Sequence, residues 1–441
     1  MATIYWAQLL HFYQPPIQIP EVLRKVVDES YRPLIDVFRQ QPHARATVNI
    51  NGVLTEMLYE SGYQDVIDGL RALAERGQIE FVGSAKYHAI LPLIDVDEQR
   101  RQIRRNELTN RHFFGDAYRP KGFFPPEMCF DRAIVEPVID FGHEWIILSG
   151  VACPAPWPLD VVYRAHGAEA AHEVAVVFRD DVLSNRISFQ DIDGKGFVQH
   201  LRDMRSDGGD VYVVTAMDAE TFGHHIENWD QLFLAEAYEE VSSKHYAGMR
   251  QSRPLAESTR QLLAVTEAPP GDDGPTSDRV VSTTISDVVG RMRKGQVVDP
   301  HPSSWSTTHD DLAAGVPYPL WRAPGNYIHK LQWEHIDIAL DLTVTAQRFA
   351  QDGASKRHAE IARGLMDPAL HSCQFWWASR RPHWDVNMIL RGLDQQADVA
   401  VNAFRAINLS PAPESVKRDA YYKVVAARDI EGKIHDQLFW D

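Results

Sequence analysis

Apolar and polar positions follow two different patterns along the first half of the chain. Short runs rich in β-branched and aromatic residues predict buried strands, and the longer segments between them, with an apolar residue every three or four positions, predict amphipathic helices. Alternating strands and helices are typical of parallel β/α units, and seven strands favour a barrel over a thin open sheet. The predicted strands are IYWAQLL, ATVNI, IEFVGS, GFFPPE, EWIILS, AVVFRD and VYVVTAMD.

Helical spacing within this first region is clearest in three segments. TEMLYESGYQDVIDGLRALAERG and DVDEQRRQIRRNELTNRHFFG each predict one helix, the second capped by Asp97 and ended by Gly115. DQLFLAEAYEEVSSKHY predicts a third helix, and the Pro/Gly/Asp-rich segment TEAPPGDDGPTSDR predicts a loop.

The pattern becomes helical throughout from Tyr327 to the end of the chain, which predicts a C-terminal helical bundle. Residues 295–326, just before it, show little periodicity, and such stretches in compact proteins are often functional loops. The helical segments are IHKLQWEHIDIALDLTVTAQRFA, HAEIARGLMDPALHSCQFWWAS, VNMILRGLDQQADVAVNAFRAIN and ESVKRDAYYKVVAARDIEGKIHDQLFW.

Composition and charge narrow the class of protein. The chain has 441 residues, of which 44% are hydrophobic and 24% charged, as is ordinary for a soluble globular protein. Its net charge of −16 repels phosphate backbones and anionic membranes, so we expect neither nucleic acid nor a membrane as partner. Three cysteines without a CxxC pair, and no basic residue ahead of the apolar N-terminal run, favour a cytoplasmic protein. The oligomeric state is not indicated.

Polar side chains gather where the predicted strands end. His11 and Tyr13 follow the first strand, Glu127 ends the fourth, and Asp218 and Glu220 end the seventh. In parallel β/α barrels the loops at the carboxyl ends of the strands form the active site. Burying several carboxylates there costs free energy unless they are paired or used, which predicts a functional site. Further polar residues near strand ends are Glu80, His88, His224 and His225.

Glu127 and Asp218 are the two carboxylates that we expect to carry chemistry. Paired carboxylates on opposite walls of a pocket suit glycoside hydrolysis, in which one attacks or stabilises the anomeric carbon and the other protonates the leaving oxygen. Mutual repulsion and partial desolvation keep one charged and the other protonated near neutral pH.

Four ordered blocks of the sequence resemble glycoside hydrolase family 57. Together they are specific, although any single block is not. The resemblance implies an α/β fold with a distorted, TIM-like (β/α)7 barrel over residues 1–300, carrying loop insertions, and an α-helical C-terminal domain over residues 301–441 that contributes to the active-site cleft. The blocks are HFYQP at 11–15, GQIEFVGSAKYHAILPL at 77–93, FFPPE at 123–127 and MDAETFG at 217–223; PYPLWRAPGNYIHKLQW at 317–333 resembles the segment that enters the helical domain.

The resemblance also implies a reaction on α-1,4-linked glucans. The implied substrate is an oligo- or polysaccharide, and no cofactor or metal is expected. Glu127 would be the nucleophile of a retaining mechanism through a covalent glycosyl-enzyme, and Asp218 the acid/base, with their carboxyl oxygens roughly 5 to 5.5 Å apart. The residues implied to surround the sugar where the bond is cleaved are His11, Glu80, His88 and Glu220.

Two features depart from the family pattern. Tyr13 replaces the second histidine of the first block, and a tyrosine donates a hydrogen bond but is not a cation near neutral pH. SCQFWWAS at 372–379 lacks the aspartate that the family has near a tryptophan, and Asp385 is the candidate substitute. Tyr13, His224 and Asp385 complete the predicted polar substrate contacts.

Tryptophans are concentrated beyond residue 300, and their positions predict two roles. Trp305, Trp321 and Trp384 lie in predicted loops, where an indole face fits the apolar face of a pyranose ring, so we expect sugar-stacking platforms. Trp333, Trp376 and Trp440 are expected to pack between helices.

Several functions remain open at this point. An amylase, a 4-α-glucanotransferase and a branching enzyme share the covalent intermediate and differ in whether water or a sugar hydroxyl accepts it. A metal-dependent deacetylase or mannosidase-like hydrolase would use His11, Asp218, His224 and His225 as ligands. A catalytically inactive glycan-binding protein on the same scaffold is the third alternative, although it has no need of Glu127 and Asp218 together.

Overall fold

The computed structural model describes residues 2–167, 172–204, 209–242, 279–381 and 383–439. The chain divides into two compact units, which we call the barrel unit (Met1–Gln14, Gln18–Ser84 and Val96–Trp305) and the helical unit (Pro15–Ile17, Ala85–Asp95 and Ser306–Asp441). The predicted helix over 230–246 ends outside the described residues, as do the predicted loop at 266–279, except for Arg279, and Trp440.

Ten strands are present in the described part of the barrel unit, and all seven predicted strands are confirmed. They are β1 (Thr3–Phe12), β2 (Ala46–Ile50), β3 (Ile79–Val82), β4 (Gly122–Phe123), β5 (Trp145–Leu148), β6 (Val161–His166), β7 (Glu173–Phe178), β8 (Val211–Asp218), β9 (Arg279–Thr283) and β10 (Arg293–Val298). The sequence reading missed β6, β9 and β10.

The predicted strands are parallel and form the wall of the barrel. The ladder β3-β2-β1-β8 is one sheet, with β9 added along the first half of β1, and β10-β6-β7-β5-β4 is the other. Between β3 and β4, Gly83 N donates to Gly122 O (2.8 Å) and Phe124 N donates to Gly83 O (2.9 Å). After β7, Asp180 N donates to Val214 O of β8 (2.7 Å). These bonds join the two sheets at both sides, so the predicted distorted (β/α)7 barrel is confirmed.

Side-chain alternation along the strands separates two apolar layers. Trp6, Leu10 and Val48 face the layer between strands and helices, whereas Leu9 and Ala216 belong to the layer that fills the barrel. The same alternation places every second strand-end residue on the interior side, which is where polar side chains of a barrel site are found.

Ten α-helices of the barrel unit are described. They are α1 (Pro20–Val26), α2 (Arg32–Gln40), α3 (Gly52–Glu60), α4 (Gln64–Glu75), α5 (Val96–Phe114), α6 (Val135–Asp140), α7 (Asp181–Ser188), α8 (Gly194–Arg202), α9 (Glu236–Ser242) and α10 (Ile285–Arg291). Short π-helical segments, Val27–Tyr31 and Asp230–Ala235, join α1 to α2 and precede α9.

The helix predicted over residues 55–77 is wrong as a single element. It is two helices, α3 and α4, because Gly62 adopts the left-handed conformation (φ 80°) that ends α3 in a turn. In α5, Gly115 (φ 57°) follows the last residue as predicted, but the helix begins at Val96, so Asp97 lies inside its first turn and is not the N-cap.

The helical unit contains four long and three short helical elements in its described part, with a small-residue interface. Alanines of the helices Gly353–Ala369 and Val386–Leu409 pack against each other, including Ala359, Ala362 and Ala403, and small side chains let helix axes approach closely. Its α-helices are α11 (His309–Ala313), α12 (Tyr327–Phe349), α13 (Gly353–Ala369), α14 (Cys373–Trp376), α15 (Val386–Leu409) and α16 (Glu414–Phe439), and a 3₁₀ turn covers Leu91–Leu93. Across the described ranges, no helix combines the length and apolarity needed to cross a membrane.

Candidate active site at the strand ends of the barrel

Four strand-end residues lie in one row across the barrel wall. The register of the parallel sheet pairs Val82 of β3 with Asn49 of β2, Asn49 with His11 of β1, and His11 with Asp218 of β8. Asn49 and Asp218 are therefore neighbours of His11 in space, although they lie 38 and 207 positions after it in the sequence. Two of these three polar residues, His11 and Asp218, are predicted from the sequence.

His11 is the central side chain of this row and is almost completely buried. Its Nδ1 lies 2.6 Å from Asn49 Oδ1 in a hydrogen bond. Its ring stacks on Phe124 (centroids 4.6 Å apart) and on Tyr13 (5.9 Å). Burial lowers the pKa of His11, and the nearby Asp218 carboxylate and the Asn49 bond oppose that shift. The imidazole is thereby held neutral and oriented at neutral pH.

Asp218 ends β8 as a half-buried carboxyl group. Desolvation by the surrounding protein raises its pKa above the ordinary range, and the positive potentials of His11 and Arg179 oppose the rise. Arg179 is itself fixed, because its Nε donates to Ala216 O (2.7 Å) and its Nη1 to Asp181 Oδ1 (2.6 Å). A raised pKa favours the protonated form of a carboxyl, which is the form that acts as a general acid.

Glu220, two residues beyond Asp218, is buried and differently engaged. Gln14 Nε2 donates to its Oε1 (2.8 Å), and the Tyr31 hydroxyl donates to the same oxygen. Burial, followed by the negative charge of Asp218, raises the pKa of Glu220 to about 8. Because both donors use Oε1, the proton of the neutral form belongs on Oε2. A neutral Glu220 leaves Asp218 without a second full negative charge beside it.

Glu127, four residues beyond the end of β4 in a 3₁₀ turn, has an unusual backbone and a specific partner. Its φ is 58°, in the left-handed region, and Met128 follows at φ 49°. Trp305 Nε1 donates to Glu127 Oε2 (2.9 Å), and Trp305 N donates to Glu127 O (3.0 Å). The Trp305 ring contacts His11 edge to face (5.9 Å, 75°). Glu127, Trp305, His11 and Asp218 thus form one continuous series.

Glu80 lies on the interior side of β3, two residues before Val82, and therefore about 7 Å deeper along the strand than the His11 row. Thr47 Oγ1 donates to Glu80 Oε1 (2.7 Å), and Ser286 N, in the first turn of α10, donates to the same oxygen (3.0 Å). Burial raises the pKa of Glu80. Its described contacts join the barrel wall to α10.

His224 lies beside Glu29, with its Nδ1 2.6 Å from Glu29 Oε2. The approach is close because Gly223 (φ 115°) has no side chain; a Cβ there would lie 1.8 Å from Glu29 O. Burial lowers the pKa of His225 to about 4. Within the residues described, no group of three or more His, Cys, Asp and Glu side chains is arranged to hold a metal ion.

The remaining predicted site residues belong to the helical unit. His88 Nδ1 bonds to Ser372 Oγ (2.9 Å), and Asp385 caps α15 by accepting from Met388 N (3.1 Å). Arg380 covers the Trp384 ring with its guanidinium carbon 4.6 Å from the centroid. The prediction for Trp321 is corrected, because its side chain is completely buried and presents no ring face to a sugar.

Four residues outside the predicted site contact the predicted ones. Asn49 and Arg179 occupy the ends of predicted strands, so the strand-end rule applied to every strand would have found both. Gln14 and Tyr31 converge on Glu220 only in the folded chain, and no local sequence signal indicates that contact.

The two central carboxyls differ in environment. Asp218 lies in surroundings that favour its protonated form, whereas Glu127 Oε2 accepts a hydrogen bond that favours the ionised form. One proton donor and one carboxylate near the same aromatic cluster are able to perform acid-assisted substitution at an anomeric carbon.

Comparisons with known proteins bear on the family of this chain. The family model "Glycosyl hydrolase family 57" matches residues 5–253, which include the whole Glu127 and Asp218 region. An alpha-amylase of Pyrococcus abyssi is 25% identical over 240 residues, covering 53% of this chain and 36% of that protein. A 4-alpha-glucanotransferase of Thermococcus litoralis is 26% identical over 216 residues, covering 48% and 32%.

A solved structure extends the likeness to the fold. The GH57-type branching enzyme of Pyrococcus horikoshii superposes with a TM-score of 0.66 at 14% identity, covering 98% of this chain and 95% of that one. The sequence matches span only about a third of the length of the two curated relatives. Because the family model matches more than half of its residues, the chain belongs to glycosyl hydrolase family 57.

Proposed function

We propose that this protein breaks α-1,4-linkages in glucans with retention of anomeric configuration, with Glu127 as nucleophile and Asp218 as acid/base. The observation that carries the proposal is the series Glu127, Trp305, His11 and Asp218, because it gathers both carboxyls around one cluster at the strand ends. The names of the relatives, alpha-amylase and 4-alpha-glucanotransferase, supply the substrate class.

In the first step, the Glu127 carboxylate forms a bond to the anomeric carbon as the bond from that carbon to the glycosidic oxygen breaks. The Asp218 carboxyl gives its proton to that oxygen, and the leaving sugar departs as an alcohol. In the second step the Asp218 carboxylate removes a proton from the incoming hydroxyl, which displaces Glu127 and restores both groups.

The charges of the site suit this sequence of steps. Burial raises the pKa of Asp218 and so favours its protonated form, and burial is also the largest cause of the raised pKa of Glu220, about 8. The pKa of His11 is lowered by burial, and in its neutral form the ring opposes the raised pKa of Asp218 less than a charged imidazolium would. We assign His11 and Tyr13 to the sugar hydroxyls of the cleaved residue.

The acceptor that releases the glycosyl group is either water or a sugar hydroxyl, and the two reactions share the same residues. Amylase and glucanotransferase relatives are matched at nearly equal identity, 25% and 26%. The proposal therefore covers an α-glucan hydrolase or transferase, and products distinguish them.

Product analysis of wild type and Glu127→Ala with maltooligosaccharides and with amylose tests the proposal. We expect shorter products (hydrolysis) or longer and branched products (transfer) from wild type alone, and azide added to Glu127→Ala should form a glycosyl azide, since a small anion replaces the missing carboxylate. Wild-type protein that binds these sugars without changing them would identify a glycan-binding protein, and activity that Glu127→Ala retains would remove Glu127 from the mechanism.

A further inference from the structure

Trp305 holds Glu127 through both its backbone and its side chain. The amide of Trp305 donates to the Glu127 carbonyl (3.0 Å), and its indole Nε1 donates to Glu127 Oε2 (2.9 Å). One residue thereby fixes the peptide that carries the carboxylate and one of the two carboxylate oxygens.

The backbone at Glu127 needs such support. Glu127 and Met128 are consecutive non-glycine residues at φ 58° and 49°, and conformations of this kind persist only when their surroundings hold them. The segment before Trp305 pairs with the chain after Met128, since Phe130 N donates to Ser303 O (2.8 Å) and Ser303 N donates to Phe130 O (3.2 Å). Residues 303–305 therefore brace the turn on both sides of Met128.

The direction of the indole is fixed by two further rings. Trp305 meets Phe124 edge to face (centroids 5.8 Å apart, 71°) and His11 edge to face (5.9 Å, 75°). Both neighbours are buried, so a rotation of the indole away from Glu127 would break these contacts. A donor that is held in place before the reaction orients its acceptor without reorganisation during it.

We infer that Trp305 is a positioning residue for the nucleophile, and that it binds Oε2 so that Oε1 attacks the anomeric carbon. This inference rests on the proposed function, because it gives Trp305 a task only if Glu127 forms the glycosyl-enzyme. The sequence predicted that Trp305 stacks on sugar; here its indole N–H instead orients the Glu127 carboxylate. The Oε1–carbon bond forms as the glycosidic bond breaks, and the proton on the leaving oxygen comes from Asp218.

Trp305→Phe separates these two roles, because phenylalanine keeps a ring and the backbone N–H but lacks the indole donor. We expect kcat to fall about 10- to 100-fold, as for the loss of a hydrogen bond to a charged group, with KM changed by less than about 2-fold. The acid limb of kcat/KM against pH should move to higher pH, because an ionised carboxylate that loses a donor has a higher pKa. Trp305→Ala loses the ring as well as the indole donor, so it also reports any stacking of the ring on sugar.

Trp333→Phe is the matched control, since Trp333 Nε1 donates to a backbone carbonyl, Trp321 O (2.9 Å), in the helical unit. It should leave kcat and the pH profile unchanged. If Trp305→Phe does not fold, as judged by its thermal unfolding, benzothienylalanine at position 305 replaces N–H by sulfur at nearly constant shape and serves the same test.

Glu127→Gln, measured on the same substrate, separates failure of this inference from failure of the proposed function. If Glu127→Gln is inactive and Trp305→Phe keeps wild-type kcat and pH profile, the positioning role is overturned and the proposed function stands. If only KM rises in Trp305→Ala, Trp305 is a stacking platform. If Glu127→Gln retains wild-type activity, the proposed function itself is overturned.

Discussion

Predicted site residues in the barrel unit and in the helical unit differ in what they contact. At the barrel rim, Asp218, His11 and Glu127 are joined to one another through sheet register and through Trp305. In the helical unit, Asp385 caps a helix and Trp321 is buried. Position near a strand end therefore predicts which polar residues lie together better than residue type in a loop does, because the strand ends of a parallel barrel converge.

The strongest test of the barrel half of this comparison is Asp218→Asn. The amide keeps the shape of the side chain but has no proton to donate, so we expect turnover to fall by about 10² to 10⁴ while the thermal midpoint stays close to that of wild type. Steady-state kinetics on maltooligosaccharides measures the fall. Asp385→Asn is the control in the helical unit, since asparagine also caps helices. Full activity in Asp218→Asn would remove Asp218 from the mechanism.

A second test concerns the charge state of Glu220. Its pKa in the folded protein is about 8 against an ordinary value of 4.5, so the folded state holds a proton that the unfolded state releases between these pH values. The corresponding contribution to the free energy of unfolding is complete below about pH 4.5 and is lost as the pH rises through about 8.

Glu220→Gln removes this titration and retains an oxygen that accepts from Gln14 and Tyr31. As the pH rises from about 5 to about 9, we therefore expect wild type to lose more free energy of unfolding than the variant, by a few kcal/mol. Urea denaturation at the two pH values measures both losses. Equal losses in the two proteins would show that Glu220 is not protonated in the folded state.

The smallest expected effect lies in the helical unit, at Asp385. Loss of its N-cap bond to Met388 N in Asp385→Ala should lower the free energy of unfolding by about 1 kcal/mol. Asp385→Asn should restore it. We expect kcat and KM to remain near wild type in both variants. A KM that rises in Asp385→Asn without a change in stability would instead make Asp385 a substrate contact and weaken the comparison between the two units.

The barrel strands were predictable because they are buried on both sides and read as continuous apolar runs. β10, RKGQVV, was missed for the opposite reason: half of its residues are exposed, none is fully buried, and it has no apolar pattern to detect. The helix split at Gly62 depended on one residue in the left-handed conformation, and a glycine within helical spacing does not by itself show whether the helix continues.

The sequence predicted that Asp218, His11 and Glu127 lie near one another, and the structure brings them together. The sequence shows that residue 305 is a tryptophan but not where its N–H points, so its bond to Glu127 was out of reach. The burial of Trp321 was equally hidden, because position in a loop suggests exposure and the tertiary packing overrides it. Contacts between distant segments, such as Tyr31 with Glu220, require the folded chain.

The configuration of the first product formed from a maltooligosaccharide tests the central claim most directly. Proton NMR recorded before mutarotation is complete distinguishes the α from the β anomer at the new anomeric centre, whether that centre is a reducing end or a new glycosidic bond. A covalent intermediate on Glu127 followed by attack from the same side as the leaving group predicts the α anomer. The β anomer as first product would mean a single displacement by water, and Glu127 would not be the nucleophile.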